Sequence, residues 1–159
     1  MPYDVPNLRQ PAPSIFTGGR PSEQQLREAK EAKGIHSLVD LCPKDEHSWY
    51  GAEDLAKKVG LNFFNIPIRG AADLTRENAL RLHGIISDPA NQVVLLQCIT
   101  GNRAGALFGA LAFYAEQHSI EEAIAIGKAA GMRWLEPGLR KQLAGLPNPD
   151  GALGAAQRG

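Results

Sequence analysis

The chain has 159 residues, of which 43% are apolar and 21% charged, and its 17 basic residues balance 17 acidic ones. This length supports one domain with a buried core, and a formal charge of zero gives no general attraction to nucleic acid or to an anionic membrane. No segment is long and apolar enough to cross a membrane, and the N-terminus lacks the pattern of a signal peptide. Two cysteines make no disulfide framework, so we expect a cytoplasmic protein.

Short apolar segments and amphipathic segments alternate along most of the chain. The short apolar ones end at glycine, proline or polar residues and predict strands at 14–17, 35–41, 61–68 and 93–96. The longer ones predict helices at 22–33, 49–59, 75–86, 104–114, 120–130 and 136–143. Residues 1–13 contain four prolines and predict an extended arm.

Strands that alternate with helices predict a three-layer α/β fold, with a mostly parallel sheet of four to five strands and helices on both faces. We expect one domain over residues 1–146 and a disordered tail over 147–159, which is rich in glycine, alanine and proline. In parallel sheets, ligands bind at the carboxyl ends of the strands. Cys42, the 69–73 loop and Cys98 each follow a predicted strand, so we expect all three at one edge of the sheet.

The segment Cys98-Ile99-Thr100-Gly101-Asn102-Arg103 joins the fourth predicted strand to a largely apolar helix. A helix start has unpaired N–H groups and a partial positive charge of about half a unit, which together bind anions. Arg103 adds a planar fork of donors that matches phosphate or sulfate oxygens, and Gly101 lets successive amides turn inward. Free cysteine titrates near ~8.5, and such surroundings lower the pKa of a thiol to about 3.5–7.5. The segment therefore predicts an anion site with Cys98 as its nucleophile.

Residues of this segment also have ordinary structural interpretations. Cys98 can be a buried core cysteine, and Arg103 can be the surface partner of a loop carboxylate. Asn102 can hold the shape of the segment by side-chain-to-backbone bonds or serve as a helix N-cap. In a functional site, residues 99–102 are the expected substrate contacts.

The segment resembles the phosphate-binding loop of the cysteine-dependent protein phosphatases of the tyrosine and dual-specificity type. Residues 16–22, 38–43 and 66–68 are similar to a bacterial branch, the phosphatase-like domain of beta-lactamase-hydrolase-like proteins. The resemblance implies hydrolysis of phosphate monoesters through a phosphocysteine intermediate, on a phosphorylated protein or a small phosphate ester. It implies no metal or organic cofactor, and the four histidines have no metal-ligand spacing with the cysteines.

The reaction of this family needs an acid for the leaving oxygen, and Asp73 matches the family's loop aspartate. Asp73 can equally be a helix-start carboxylate that the helix dipole stabilises. Asp40 and Asp45 are weaker candidates for the acid. Arg69 is a candidate for binding substrate anions.

Four features depart from the family pattern. Only four residues separate Cys98 from Arg103, whereas better-known members have five, so the ring of amides is tighter. Gln97 replaces a histidine and Ala104 replaces a hydroxyl residue, which predicts a smaller lowering of the thiol pKa and slower hydrolysis of the intermediate. Cys42 stands where the branch often has arginine. If its strand neighbours that of Cys98, the two Cα atoms approach the ~4.4–6.8 Å of a disulfide, which makes Cys42 a redox candidate, the alternative being a small core residue.

Two other functions stay open. Rhodanese-like sulfurtransferases also carry a cysteine on a six-residue strand-to-helix loop, and such an enzyme would hold a persulfide on Cys98. The changes at positions 97 and 104 also fit a phosphate-binding module without catalysis. Phosphate release measured against sulfur transfer separates the three functions.

Overall fold

The computed structural model describes residues 5–148, so most of the predicted tail lies outside the described residues. Within this range the strands are β1 (Arg9–Ala12), β2 (Ile15–Gly18), β3 (Ser37–Asp40), β4 (Asn62–Asn65) and β5 (Val94–Gln97). The α-helices are α1 (Glu23–Lys33), α2 (Ala52–Val59), α3 (Arg76–Ser87), α4 (Asn102–Glu116), α5 (Ile120–Ala129) and α6 (Glu136–Leu143). Among the helices of residues 5–148, none combines the length and the apolarity that a membrane crossing needs.

The strands of the described range form one mixed sheet in the order β1-β2-β5-β3-β4. Strands β2, β5, β3 and β4 are parallel, and β1 lies antiparallel to β2 at one edge. The predicted α/β fold with a mostly parallel sheet is therefore confirmed. Residues 9–12, which fall in the predicted extended arm, form β1. An edge strand tolerates Pro11 because the N–H group that proline lacks is not needed there for pairing.

Apolar side chains alternate between the two faces of the sheet and build two cores. Leu38 and Leu95 belong to the core beneath α1 and α2, whereas Val39 and Leu96 belong to the larger core beneath α3–α6. A strand that is buried on both faces has this period of two. Helices therefore cover both faces of the sheet, as predicted.

The loops at the carboxyl edge of the sheet are longer than predicted. The predicted strands 35–41 and 61–68 end early, because the pairing of β3 with β4 stops at Asp40 and Asn65. The predicted helix over 49–59 is divided into a 3₁₀ turn at Ser48–Tyr50 and α2, since Gly51 between them has a φ of +61°. The residues freed from regular structure in this way surround the Cys98 loop.

Candidate active site

The carboxyl ends of three parallel strands meet at one edge of the sheet. Gln97 on β5 is in register with Gly18 on β2 and with Asp40 on β3. The side chains that follow these strand ends and meet at the edge are Arg20, Cys42 and Cys98. The expectation that Cys42 and Cys98 lie at the same edge is therefore met.

Cys98 lies at the floor of its loop and not at the protein surface. Its side chain is fully buried, and its sulfur accepts a hydrogen bond from the Gly101 amide at 3.0 Å. Gly101 is the N-cap of α4 with a φ of +92°, so the loop bends back over the sulfur at the positive end of the helix. The burial of Cys98 alone fits a core cysteine, whereas the hydrogen bond from the Gly101 N–H group to its sulfur favours the interpretation as an anion site.

Arg103 is completely buried and forms a two-point ion pair with Glu46. Its Nη2 lies 2.7 Å from Oε1 of that carboxylate and its Nη1 3.3 Å from Oε2, while Nη1 also donates to the Ile68 carbonyl at 2.9 Å. Burial is the largest single influence and lowers the pKa of Arg103. The hydrogen bonds to Glu46 and the electrostatic effects of Cys42, Cys98 and Glu46 act in the opposite direction, and together they raise this pKa. The predicted partnership of Arg103 with a loop carboxylate thus exists, but inside the protein and not at its surface.

One N–H donor of the Arg103 guanidinium takes no part in these hydrogen bonds. Its Nε–H group is buried and has no hydrogen-bond partner among residues 5–148. A buried donor without a partner costs free energy, and an incoming acceptor could bind this N–H group while Nη1 and Nη2 keep their bonds to Glu46. The anion-binding role of Arg103 stays a prediction.

Cys42 lies between two guanidinium groups. Nη2 of Arg20 is 3.2 Å and Nη2 of Arg103 is 3.6 Å from its sulfur. Burial nevertheless raises the pKa of the Cys42 thiol, against the attraction of the two arginines. Arg20 also lies over the ring of Tyr50, 4.3 Å from its centroid. No disulfide joins Cys42 to Cys98 in the structure, so the redox role of Cys42 stays a prediction.

Asp40 lies behind the Cys98 loop and is only 6% exposed. Its Oδ1 accepts hydrogen bonds from Nε2 of Gln97 at 3.2 Å and from the backbone amide of Cys42 at 3.3 Å. Burial raises the pKa of Asp40 despite these bonds. Gln97, the residue before the sulfur, therefore contacts a carboxyl group that resists losing its proton.

The loop that carries Asp73 lies beside Arg103. Oδ2 of Asp73 accepts a hydrogen bond from the Arg69 amide at 2.8 Å, and the carbonyl of Ile68, one residue earlier, accepts from Arg103. The Arg69 side chain is half-exposed and pairs with Asp45, with Nη2 3.1 Å from Oδ1. The structure thus brings the 69–73 loop to the predicted edge. The acid role of Asp73 and the anion-binding role of Arg69 stay predictions.

Ile99 and Thr100 are held by the segment that follows β2. The Ile99 carbonyl accepts from the Arg20 amide at 3.1 Å, and Thr100 forms an isolated β-bridge with Gly19. A Cβ at Gly19 would come within 2.7 Å of the Ile99 carbonyl oxygen, so this approach requires glycine. The first half of the Cys98 loop is therefore fixed from its outer side.

Asn102 is fully buried and anchors the second half of the loop. Its Oδ1 accepts hydrogen bonds from the backbone amides of Arg133 at 2.7 Å and Leu135 at 3.4 Å, which lie between α5 and α6. Gly101, and not Asn102, is the N-cap of α4. Of the two structural interpretations of Asn102, side-chain-to-backbone bonding is correct and capping is wrong.

Two residues of this site, Arg20 and Glu46, are not among the residues that the sequence predicts. Arg20 directly follows the glycine pair after β2, so the same strand-end argument that selects Cys42 would have selected it. Glu46 lies in the polar loop after Cys42, and the need of a buried arginine for a carboxylate is its only signal.

A cavity of about 130 Å³ adjoins the site. Its wall includes Arg20, which contacts Cys42, and Glu46, which contacts Arg103, together with Asp40, His47 and Tyr50. The cavity therefore begins at the side chains that surround the two cysteines.

No known protein-family model matches the chain, and no curated protein matches it. Solved structures do match. A DUF442 protein of Shewanella putrefaciens has a TM-score of 0.65 at 19% identity, over 89% of this chain and 91% of its own. The core catalytic domain of the PP-IP phosphatase Siw14 of S. cerevisiae, solved with citrate, has a TM-score of 0.69 at 17% identity, over 92% and 88%. TpbA of P. aeruginosa, solved with pTyr, has a TM-score of 0.64 at 14% identity, over 88% and 84%. The chain therefore has the fold of the cysteine-dependent phosphatases, as the resemblance of its Cys98 loop predicts.

Proposed function

We propose that the protein is a cysteine-dependent phosphatase that hydrolyses phosphate monoesters. The observation that carries this proposal is the Cys98 loop itself. The Gly101 amide bonds the sulfur, and the buried Nε–H of Arg103 has no partner within residues 5–148. A ring of this kind stabilises both a thiolate and the oxygens of a phosphoryl group.

The reaction has two steps. The Cys98 thiolate attacks phosphorus, an S–P bond forms, and the P–O bond of the ester breaks. The leaving oxygen keeps the electron pair and takes a proton from Asp73. Water then attacks the phosphocysteine while Asp73 accepts its proton. The S–P bond breaks, which restores the thiolate and releases inorganic phosphate.

Arg103 and Glu46 act together in both steps. The ion pair fixes the guanidinium plane, so that Nε points a donor at the phosphoryl oxygens without a search for the correct rotamer. The amides of residues 99–103 share the remaining oxygens. Access of substrate to the buried Cys98 requires the surrounding loops to open.

The substrate is a phosphorylated protein or a small phosphate ester, with phosphotyrosine as the first choice among protein groups. The cavity beside the site is lined by Tyr50, and Trp49 next to it is 79% exposed. Aromatic walls of this type pack against an aromatic leaving group. We expect this enzyme to act in the cytoplasm, because a nucleophilic thiol stays reduced there.

Purified protein tests the proposal when it is incubated with an aryl phosphate and released phosphate is measured. We expect steady release that vanadate inhibits, and Cys98→Ser is expected to abolish it. Urea unfolding of the variant shows whether the loss reflects chemistry or folding.

The six-residue loop favours a second candidate, a sulfurtransferase that carries a persulfide on Cys98. Such an enzyme forms thiocyanate from thiosulfate and cyanide, so this product without phosphate release would replace the phosphatase assignment. If vanadate or sulfate binds and neither reaction occurs, a phosphate-binding module is the correct function.

A further inference from the structure

Asn7, in the segment before β1, reaches the outer side of the Cys98 loop. Its Nδ2 donates to the Thr100 carbonyl at 3.1 Å and to the Gly131 carbonyl at 3.3 Å. Its Oδ1 accepts from Nε of Arg9 at 3.2 Å. These three contacts agree on one orientation of the amide group, with nitrogen toward the loop and oxygen away from it.

The peptide unit between Thr100 and Gly101 is therefore held at both ends. Its carbonyl oxygen accepts from Asn7, and its N–H donates to the sulfur of Cys98 at 3.0 Å. Because a trans peptide is planar, its C=O and N–H point in opposite directions, and fixing one direction fixes the other. A hydrogen bond to the oxygen also polarises the unit and strengthens the N–H as a donor.

We propose that Asn7 is a positioning residue for the nucleophile, which holds the Thr100–Gly101 peptide so that its N–H faces the sulfur of Cys98. The role of that sulfur as nucleophile rests on the proposed function. Asn7 itself touches no reacting atom and acts only through the peptide.

The backbone at Asn7 explains why this residue type fits. Its φ is +52°, a left-handed conformation that asparagine adopts more readily than most residues. A Cβ at Gly101 would lie 2.7 Å from the Asn7 Nδ2 atom, so the close packing of the two residues also depends on glycine at 101. The left-handed backbone and the amide side chain of Asn7 thus both favour the hydrogen bond to the Thr100 carbonyl.

Other groups also influence the Cys98 thiol, and a substitution of Asn7 leaves these groups in place. Arg103 at the start of α4 and Cys42 after β3 interact with it electrostatically. Behind these two lie the charged groups of the neighbouring loops, which are Arg20, Asp40, Glu46, Arg69 and Asp73. The hydrogen bonds of Asn7 go to Thr100, Gly131 and Arg9, so its substitution isolates the contribution of the peptide.

The test is the pKa of the Cys98 thiol, measured from the ultraviolet absorbance of the thiolate as the difference between each protein and its Cys98→Ser counterpart. Asn7→Gly keeps the left-handed backbone accessible and removes the side chain. We expect the pKa of Cys98 to rise by about 0.5–1, the size of one typical hydrogen bond. Asn7→Asp keeps the shape and the backbone preference but removes the donors, and its charge adds a further rise.

Gln10→Ala is the matched control, since Gln10 lies three residues further along, in β1, and its side chain donates to the Pro13 carbonyl at 3.4 Å. It is expected to leave the pKa of Cys98 unchanged. An unchanged pKa in folded Asn7→Gly or in Asn7→Asp overturns the proposal, because a merely structural role lowers stability without moving the titration. The titration needs no substrate. If the pKa of Cys98 rises in the Asn7 variants but the parent protein releases no phosphate, the role of Asn7 stands and the phosphatase function is wrong. If the parent releases phosphate but the pKa of Cys98 does not change in the variants, the phosphatase function stands and the role of Asn7 is wrong.

Discussion

The carboxylate of Glu46 and the guanidinium of Arg103 meet at two points inside the protein, at 2.7 and 3.3 Å. The Arg103 side chain has no exposed surface and that of Glu46 is 12% exposed. The two residues are 57 positions apart, and their pairing joins the loop after β3 to the start of α4. A buried arginine in this position depends on its carboxylate partner for both stability and orientation.

Glu46→Gln is therefore expected to weaken the fold and the reaction together. Removing one partner of a buried ion pair costs about 3 kcal/mol in the free energy of unfolding, because the other charge stays buried. Misplacement of the guanidinium lowers kcat/KM by about 10²-fold. Urea denaturation and phosphate release measure the two effects.

Glu53→Gln is the control for this change. Its carboxylate is half-exposed and pairs with Lys57 at 3.9 Å on the surface of α2. We expect a change below about 1 kcal/mol, since exposed pairs contribute little. Equal effects of the two substitutions would show that the Glu46 pair has no special role.

Asp73→Asn tests the general acid. If Asp73 protonates the leaving oxygen, kcat for a poor leaving group falls by about 10²–10⁴-fold and the alkaline limb of the pH–rate profile disappears. An activated aryl phosphate, which needs little protonation, is expected to lose much less. Asp45→Asn, on the neighbouring loop, serves as comparison. Loss of the alkaline limb in that variant alone would move the acid role to Asp45.

Gly101→Ala tests the tight turn above the sulfur. Alanine is strained at a φ of +92°, and its Cβ would lie 2.7 Å from the Asn7 side chain. We expect a loss of more than about 1 kcal/mol in the free energy of unfolding and weaker binding of vanadate. Gly84→Ala is the matched control, because a Cβ there meets nothing within 4 Å in the interior of α3, and it should stabilise by about 0.5–1 kcal/mol. A tolerated Gly101→Ala would contradict the described loop geometry.

The buried carboxyl group of Asp40 is expected to make the free energy of unfolding depend on pH. Its pKa is raised above 3.8 by burial, so the folded state holds the proton more tightly than the unfolded state. The stability that this group provides is fully present below 3.8 and declines as pH rises through the higher folded pKa. In Asp40→Asn we expect this decline to vanish, so the variant gains stability relative to the parent as pH rises above 3.8. Exposed Asp54→Asn should keep the slope of the parent, and an identical slope in Asp40→Asn would argue against the raised pKa.

The order of strands and loops in the sequence predicts much of the site, but it does not predict the contacts that side chains make across loops. Cys42, Cys98 and the loop of Asp73 follow strands, and the parallel sheet brings them to one edge. Glu46 follows no strand directly, and its partner is far away in sequence. No local pattern records such a contact, because only the folded chain shows that Arg103 is buried.

The ends of strands are also difficult to predict from the sequence. The predicted strand 61–68 continues through apolar residues, but in the structure it ends at Asn65. Beyond that point the Ile68 amide donates to the Leu41 carbonyl at 2.8 Å without forming a regular strand, and the Ile68 carbonyl accepts from Arg103. Periodicity reports burial and not pairing, so apolar residues that line a site are indistinguishable from strand residues in the sequence. For the same reason the predicted arm does not reveal that Asn7 touches the Cys98 loop.

The most direct measurement is the identity of the residue that carries phosphate during turnover. A reaction with an aryl phosphate is quenched in acid within the first turnovers, and the peptides are examined by mass spectrometry. We predict phosphate on Cys98, and we expect it to accumulate because Ala104 provides no hydroxyl group to assist its hydrolysis. Phosphate on another side chain, or continued turnover in Cys98→Ser, would contradict it.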